Sequence, residues 1–212
     1  MMNDECGTSA LIIPHSAFRI PHSAMDFIDT YLTTLSQSVQ NLSRDDLRKA
    51  CDALMVAWRE ERTVFIIGNG GSAATASHMM NDLNKLTITP GKKRFKALAL
   101  TDNMPLVTAW GNDLSFAVSF AEPLRNLMRP GDFVIAISTS GNSPNILKAV
   151  EAAYEIGGTV IGLVGDTGGK LAELADIVVK FPDPHQGRQE DGHLIMNHII
   201  AGELKQRLND ER

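Results

Sequence analysis

The amino-acid sequence predicts an α/β fold, a three-layer sandwich with a central five-stranded parallel sheet and helices on both faces. Three observations predict it. Five short runs rich in apolar residues recur along the chain, the pattern of strands buried on both faces. Stretches with apolar residues at three- and four-residue spacing stand between them, and strands alternating with helices imply parallel pairing. Two of the runs pass directly into loops of glycine, serine and asparagine, where a parallel sheet meets its ligand.

The elements follow in order. Residues 1–24 read as a leader outside the fold: Ile13-Pro14-His15-Ser16-Ala17 recurs as Ile20-Pro21-His22-Ser23-Ala24, and Met25 could be a natural start. The stretch lacks the basic start and apolar core of a secretion signal. Met25–Val39 and Arg44–Arg62 read as helices. Ser43 can cap the second, and Asp45 and Asp46 favour its positive end. Thr63–Ile67 is the first strand, followed by Gly68-Asn69-Gly70-Gly71-Ser72 and a helix from Ala73 to Leu86. Phe95–Leu100 is the second strand and Phe133–Ile137 the third, which runs into Ser138-Thr139-Ser140-Gly141-Asn142-Ser143. Pro144–Ile156 is a helix with Pro144 at its first position, and Gly157-Gly158 ends it. Thr159–Val164 and Ile177–Phe181 are the last strands, around a short helix at Lys170–Leu174. Glu190–Leu208 closes the chain as a long helix. Residues 25–212 therefore read as a single domain.

Bulk composition narrows the function. A net charge of -5 disfavours a dedicated nucleic-acid binder, which would show a basic face. It does not disfavour a small anion, because loop N–H groups and helix ends hold anions without net positive charge. Two cysteines, Cys6 and Cys51, make no disulfide framework. No apolar run has the roughly 18–20 residues a membrane span needs. A reducing, cytoplasmic setting is the expectation.

Both loops follow an apolar strand and precede a helix. Glycine lets the backbone approach a ligand, exposed N–H groups point at an oxyanion, and the helix dipole favours negative charge. Ser138, Thr139, Ser140 and Ser143 place four hydroxyl donors within six residues. Turn chemistry and capping use the same residue types, but two such loops at equivalent strand ends point to a phosphate-bearing ligand. The dinucleotide-binding glycine spacing is absent, and no Gly-Lys-Ser/Thr follows either loop.

Ile67-Gly68-Asn69-Gly70-Gly71-Ser72-Ala73-Ala74, Gly111-Asn112-Asp113 and Ile137 through Ser143 together resemble the sugar isomerase (SIS) domain, and within it the phosphoheptose isomerases. The resemblance runs from about Asp26 to the end of the chain. It implies that Ser138, Thr139, Ser140 and Ser143 hold a substrate phosphate. It implies that Asn69, Gly70, Gly71 and Ser72 contact the sugar, and that Asn112 and Asp113 add polar contacts.

His78 and Asp82 stand four apart on a predicted helix, and Glu190 and His198 eight apart on another. Each pair can share a face, and two imidazoles with two carboxylates could bind Zn²⁺ or a similar divalent ion. A solvated helix face and a satisfied core histidine are the plainer readings of the same residues. The resemblance favours the metal: the family builds a zinc site from His and Glu four apart with Gln and His eight apart. Here Asp82 stands where Glu is usual and Glu190 where Gln is usual. The resemblance makes Asp82 the base and His198 the acid, with Glu190 as an alternative base. His193 is expected to face elsewhere, in a subunit contact, and His185 to be a loop residue.

The implied activity is an aldose–ketose isomerase converting sedoheptulose 7-phosphate to D-glycero-D-manno-heptopyranose 7-phosphate, in nucleotide-activated heptose biosynthesis. Two alternatives stay open: a non-catalytic SIS protein resembling the DnaA initiator-associating protein, and an SIS isomerase of another sugar phosphate. The resemblance also implies a homotetramer, with the N-terminal helices used for subunit packing.

Overall fold

The computed structural model describes residues 26–211. The expected leader, with Cys6, His15 and His22, lies outside them.

Five parallel strands form one sheet in the order β2-β1-β3-β4-β5: β1 (Thr63–Gly68), β2 (Lys96–Ala99), β3 (Phe133–Ser138), β4 (Thr159–Val164) and β5 (Ile177–Lys180). The expected strands all form. The three central strands alternate two sets of side chains between two apolar layers, because successive residues of a strand point to opposite faces. On one face Val64, Ile66, Ile135, Ile137, Ile161 and Leu163 pack against α2 (Arg44–Arg59), α3 (Gly71–Asn81) and α8 (Gln186–Asp210). On the other, Phe65, Ile67, Val134, Ala136, Val160 and Val164 pack with α5 (Ala121–Leu127), α6 (Pro144–Ile156) and α7 (Gly169–Leu174). Burial on both sides explains the near-continuous apolar runs.

Two helix ends carry their expected chemistry. The Ser43 hydroxyl accepts a hydrogen bond from the Asp46 N–H at the start of α2. Gly157 takes the left-handed conformation that ends α6. Ser143 is the N-cap residue of α6, but its hydroxyl makes no capping bond.

Several elements differ from the sequence expectation. The helix after β1 begins at Gly71, and its last turn, Asp82–Leu86, is π-helical. The last helix begins at Gln186 rather than Glu190, with His185 as its N-cap residue rather than a loop residue. Two helices between β2 and β3 had no sequence signal: α4 (Met104–Asp113) and α5. No residue of α4 is buried, so it carries no apolar stripe towards this core.

α1 (Phe27–Gln40) lies against α8. The buried Asp183 carboxylate ties the pair together, accepting from Ser38 at 2.7 Å and Arg188 Nε at 2.8 Å. Burial pushes the Asp183 carboxyl up, but bonds from Arg188, Ser38 and the His185 N–H outweigh it and bring its pKa down to about 2.

Candidate active site

The C-terminal ends of β1 and β3 are neighbours in the sheet, so the loops leaving them face one another. Between them lies a cavity of about 380 Å³, lined by Asn69, Gly70, Gly71 and Ser72 from one loop and Ser138, Thr139, Ser140 and Ser143 from the other. Ile137 forms part of the wall, and Gln186 and Glu190 close it from the first turns of α8. This volume suits a small metabolite.

Local geometry explains the residue types. The serine loop is folded by its own hydroxyls: Ser138 Oγ accepts from the Gly141 N–H at 3.1 Å, and Ser140 Oγ from the Asn142 N–H at 3.2 Å. Gly141 has φ +62°, and a Cβ there would overlap the Gly168 carbonyl oxygen. The loop is then pinned from outside by the Leu171 N–H to Gly141 O at 2.9 Å and the Lys170 N–H to the Asn142 side chain at 3.1 Å. Gly70, with φ +55°, turns the chain into α3. Next to it, Gly71 leaves room for Glu190, whose Oε2 would stand 2.6 Å from a Cβ at that position.

A further side chain joins the two loops and was not singled out in the sequence. Asn145 is buried, and its amide pairs reciprocally with that of Asn69, both N···O distances being 2.8 Å. Its only signal was position, one residue past Pro144 at the start of α6. Gln186, also lining the cavity, lay outside the expected helix.

The second expected centre assembles in part. His78 on α3, Asp82 at the π turn and His198 on α8 converge: their ligating atoms lie within 4.8 Å of one another. His78 Nε2 is 3.2 Å from His198 Nε2 and 3.4 Å from Asp82 Oδ2, and His198 Nε2 is 4.0 Å from Asp82 Oδ2. A tetrahedral zinc with bonds of about 2.0–2.1 Å needs ligand atoms about 3.3–3.4 Å apart. Two imidazoles and one carboxylate in this arrangement fit such an ion and leave a fourth position for water or substrate. The imidazoles are open to solvent while Asp82 is buried beneath them.

Glu190 does not join that cluster. It stands eight residues before His198 on α8, a rise of about 12 Å, and lines the loop cavity instead. Asn112 and Asp113 do not line the cavity either. They end α4, exposed, with the Asn112 amide donating to Asp113 at 2.8 Å. His193 corrects another expectation: it is fully buried inside this chain rather than set in a subunit contact, and among the described residues neither ring nitrogen has a hydrogen-bond partner.

A doubly covered parallel sheet, with two hydroxyl- and amide-rich loops sharing one cavity at its strand ends, defines an α/β domain that binds a small anionic ligand. Residues 26–165 match the model of the SIS domain. The phosphoheptose isomerase of Mycobacterium bovis is 39% identical over 157 residues, covering 74% of this chain and 80% of that protein. That of Rhodospirillum rubrum is 38% identical over 156 residues, covering 74% and 82%. Among solved structures, the phosphoheptose isomerase of Neisseria gonorrhoeae superposes with a TM-score of 0.77 at 30% identity, over 84% of this chain and 95% of that one. The chain belongs to the SIS domain family and, within it, to the phosphoheptose isomerases.

Proposed function

We propose that this chain is an aldose–ketose isomerase acting on sedoheptulose 7-phosphate and yielding D-glycero-D-manno-heptopyranose 7-phosphate. The observation that carries this reading is the shared cavity of the two loops, with the histidine–carboxylate cluster further along α8. In it, the hydroxyls of Ser138, Thr139, Ser140 and Ser143 and the loop N–H groups hold the phosphate. Ser143 supports this role, since its hydroxyl is not used in capping. Asn69, aimed by Asn145, contacts the sugar together with Gly70, Gly71 and Ser72.

With the phosphate fixed, the carbonyl end extends away from the serine loop. A base removes a proton from C1, giving an enediol. O2 gains a proton as this enediol forms, and returning a proton to C2 while O1 gives up its own completes the aldose. His198 serves as the acid; Asp82 is the family-position base and Glu190 the alternative. We assign zinc to His78, Asp82 and His198, with Glu190 as a fourth ligand only if its side chain leaves Gly71. Zinc, when bound, would polarise the reacting carbonyl.

The reading includes a homotetramer in the cytoplasm. α1 exposes Phe27, Ile28 and Leu32, an apolar face suited to a neighbouring copy. Asn112 and Asp113, exposed at the end of α4, would then reach the site of another subunit. Among the described residues Cys51 has no disulfide partner, as suits a reducing compartment.

The test is direct. Purified protein supplied with Zn²⁺ should convert sedoheptulose 7-phosphate in preference to C5 and C6 ketose phosphates. Folded protein that turns over none of them across divalent metals and pH would overturn the proposal.

A further inference from the structure

Asp82 reaches towards imidazoles on two different helices with a side chain one methylene shorter than a glutamate's. The structure contains a device that offsets the difference. Asn197, the residue before His198, is fully buried on α8. Its Nδ2 donates to Asp82 Oδ2 at 2.9 Å. That is the same oxygen that stands 3.4 Å from His78 Nε2 and 4.0 Å from His198 Nε2. Asn81 holds the other oxygen, Oδ1, at 3.2 Å. The carboxylate therefore has both oxygens engaged and one of them directed at the imidazole pair.

A second observation concerns the same amide. Asn197 Oδ1 is buried with no hydrogen-bond partner among the described residues. Turning the amide over would give the oxygen no donor, because it would then face the carboxylate and remove the bond to Asp82. An unpartnered buried acceptor is destabilising, and a leucine would fill this position on α8 without that cost. Such a group calls for an explanation in function. The local backbone points the same way: Asp82 opens a π-helical turn, a distortion frequent at functional sites. The turn is fixed from outside by Asn84, whose amide makes two bonds to Ala97 of β2, at 2.8 and 3.0 Å.

We infer that Asn197 is a positioning residue for the metal centre: its amide directs Asp82 Oδ2 at His78 and His198, so that aspartate can ligate where a longer carboxylate would otherwise be needed. The inference rests on the metal reading above. A ligating carboxylate is commonly oriented by such an outer partner, and losing one lowers metal affinity about 10–100-fold. A purely structural amide would matter equally with and without metal; a positioning amide matters chiefly to the metal.

The test measures metal binding, not turnover. Wild-type protein, Asn197→Leu, Asp82→Glu and the Asp82→Glu/Asn197→Leu double variant are titrated with Zn²⁺ by calorimetry. Each is also loaded with Co²⁺ to record its visible spectrum, and thermal unfolding of the metal-free forms checks the fold. Asn197→Leu should bind Zn²⁺ about 10–100-fold more weakly, with a weakened or altered tetrahedral Co²⁺ spectrum. The double variant should recover most of the affinity, because the longer carboxylate reaches the imidazoles without the amide. If Asn197→Leu does not fold, Asn197→Ser replaces it, and the same loss and rescue are expected. Unchanged Zn²⁺ affinity in a folded Asn197 variant, or no rescue by Asp82→Glu, overturns the inference and leaves the metal site standing. Wild-type protein that binds neither Zn²⁺ nor Co²⁺ overturns both.

Discussion

At the residue scale, the loops are aimed by side chains that never needed to look functional. Asn69 was legible as a candidate ligand contact because it sits inside a glycine loop. Asn145 was not, because an asparagine near a helix start is ordinary capping chemistry. Only the fold brings the two amides together. Asn145→Leu should destabilise the protein by about 1–3 kcal/mol, since the Asn69 amide loses its buried partner. Urea unfolding reads that loss, and steady-state kinetics should show KM rising more than kcat falls. His193 is the opposite case: a helical wheel separated it from His198 but could not say that α8 would be covered on several sides. Burial pushes its pKa below the ordinary imidazole value. Its neutral form is the one that folds. The stability it supports is present above pH of about 6.5 and is lost as pH falls below that towards its folded pKa. Melting temperature followed from pH 7.5 down to 5.5 should fall, and less steeply in His193→Leu.

At the scale of elements, the sheet was readable because its strands are buried on both faces and so are apolar without interruption. α4 and α5 were not, because one buries nothing here and the other has seven residues with a proline among them. The serine loop was readable by composition, but its clamp was not. The turn at Gly168 and Gly169 presses directly on Ser140 and Gly141, both glycines at positive φ. Gly141→Ala would force a left-handed conformation on alanine and drive its methyl into the Gly168 carbonyl. Backbone strain of this kind costs about 1–3 kcal/mol. The variant should melt earlier than wild type and lose sugar-phosphate binding by calorimetry. If it kept full affinity, the loop would not need its observed shape.

At the scale of the whole molecule, the proposed anchor at the loops and the proposed reactive end at the histidines would suit a phosphate-tailed sugar. The histidines of the reactive end and the apolar side of α1 face outward, which is what an assembly with sites near its subunit boundaries would need. Phe27 and Leu32 are 70% and 60% exposed; changing both to glutamate should convert the proposed tetramer to smaller species in light scattering. That the single chain separates Glu190 from His78, Asp82 and His198 could not be read from spacing on a helix, because eight residues fix an angle and a rise but not the direction of a long side chain. One comparison tests the proposed phosphate anchor most directly: kcat/KM for sedoheptulose 7-phosphate against sedoheptulose, with the same zinc-loaded protein. Charge-assisted bonds to a phosphate contribute about 1.5–3 kcal/mol each, so losing two or more predicts a drop of at least about a hundredfold. Equal turnover of the two sugars, or of neither, would contradict it.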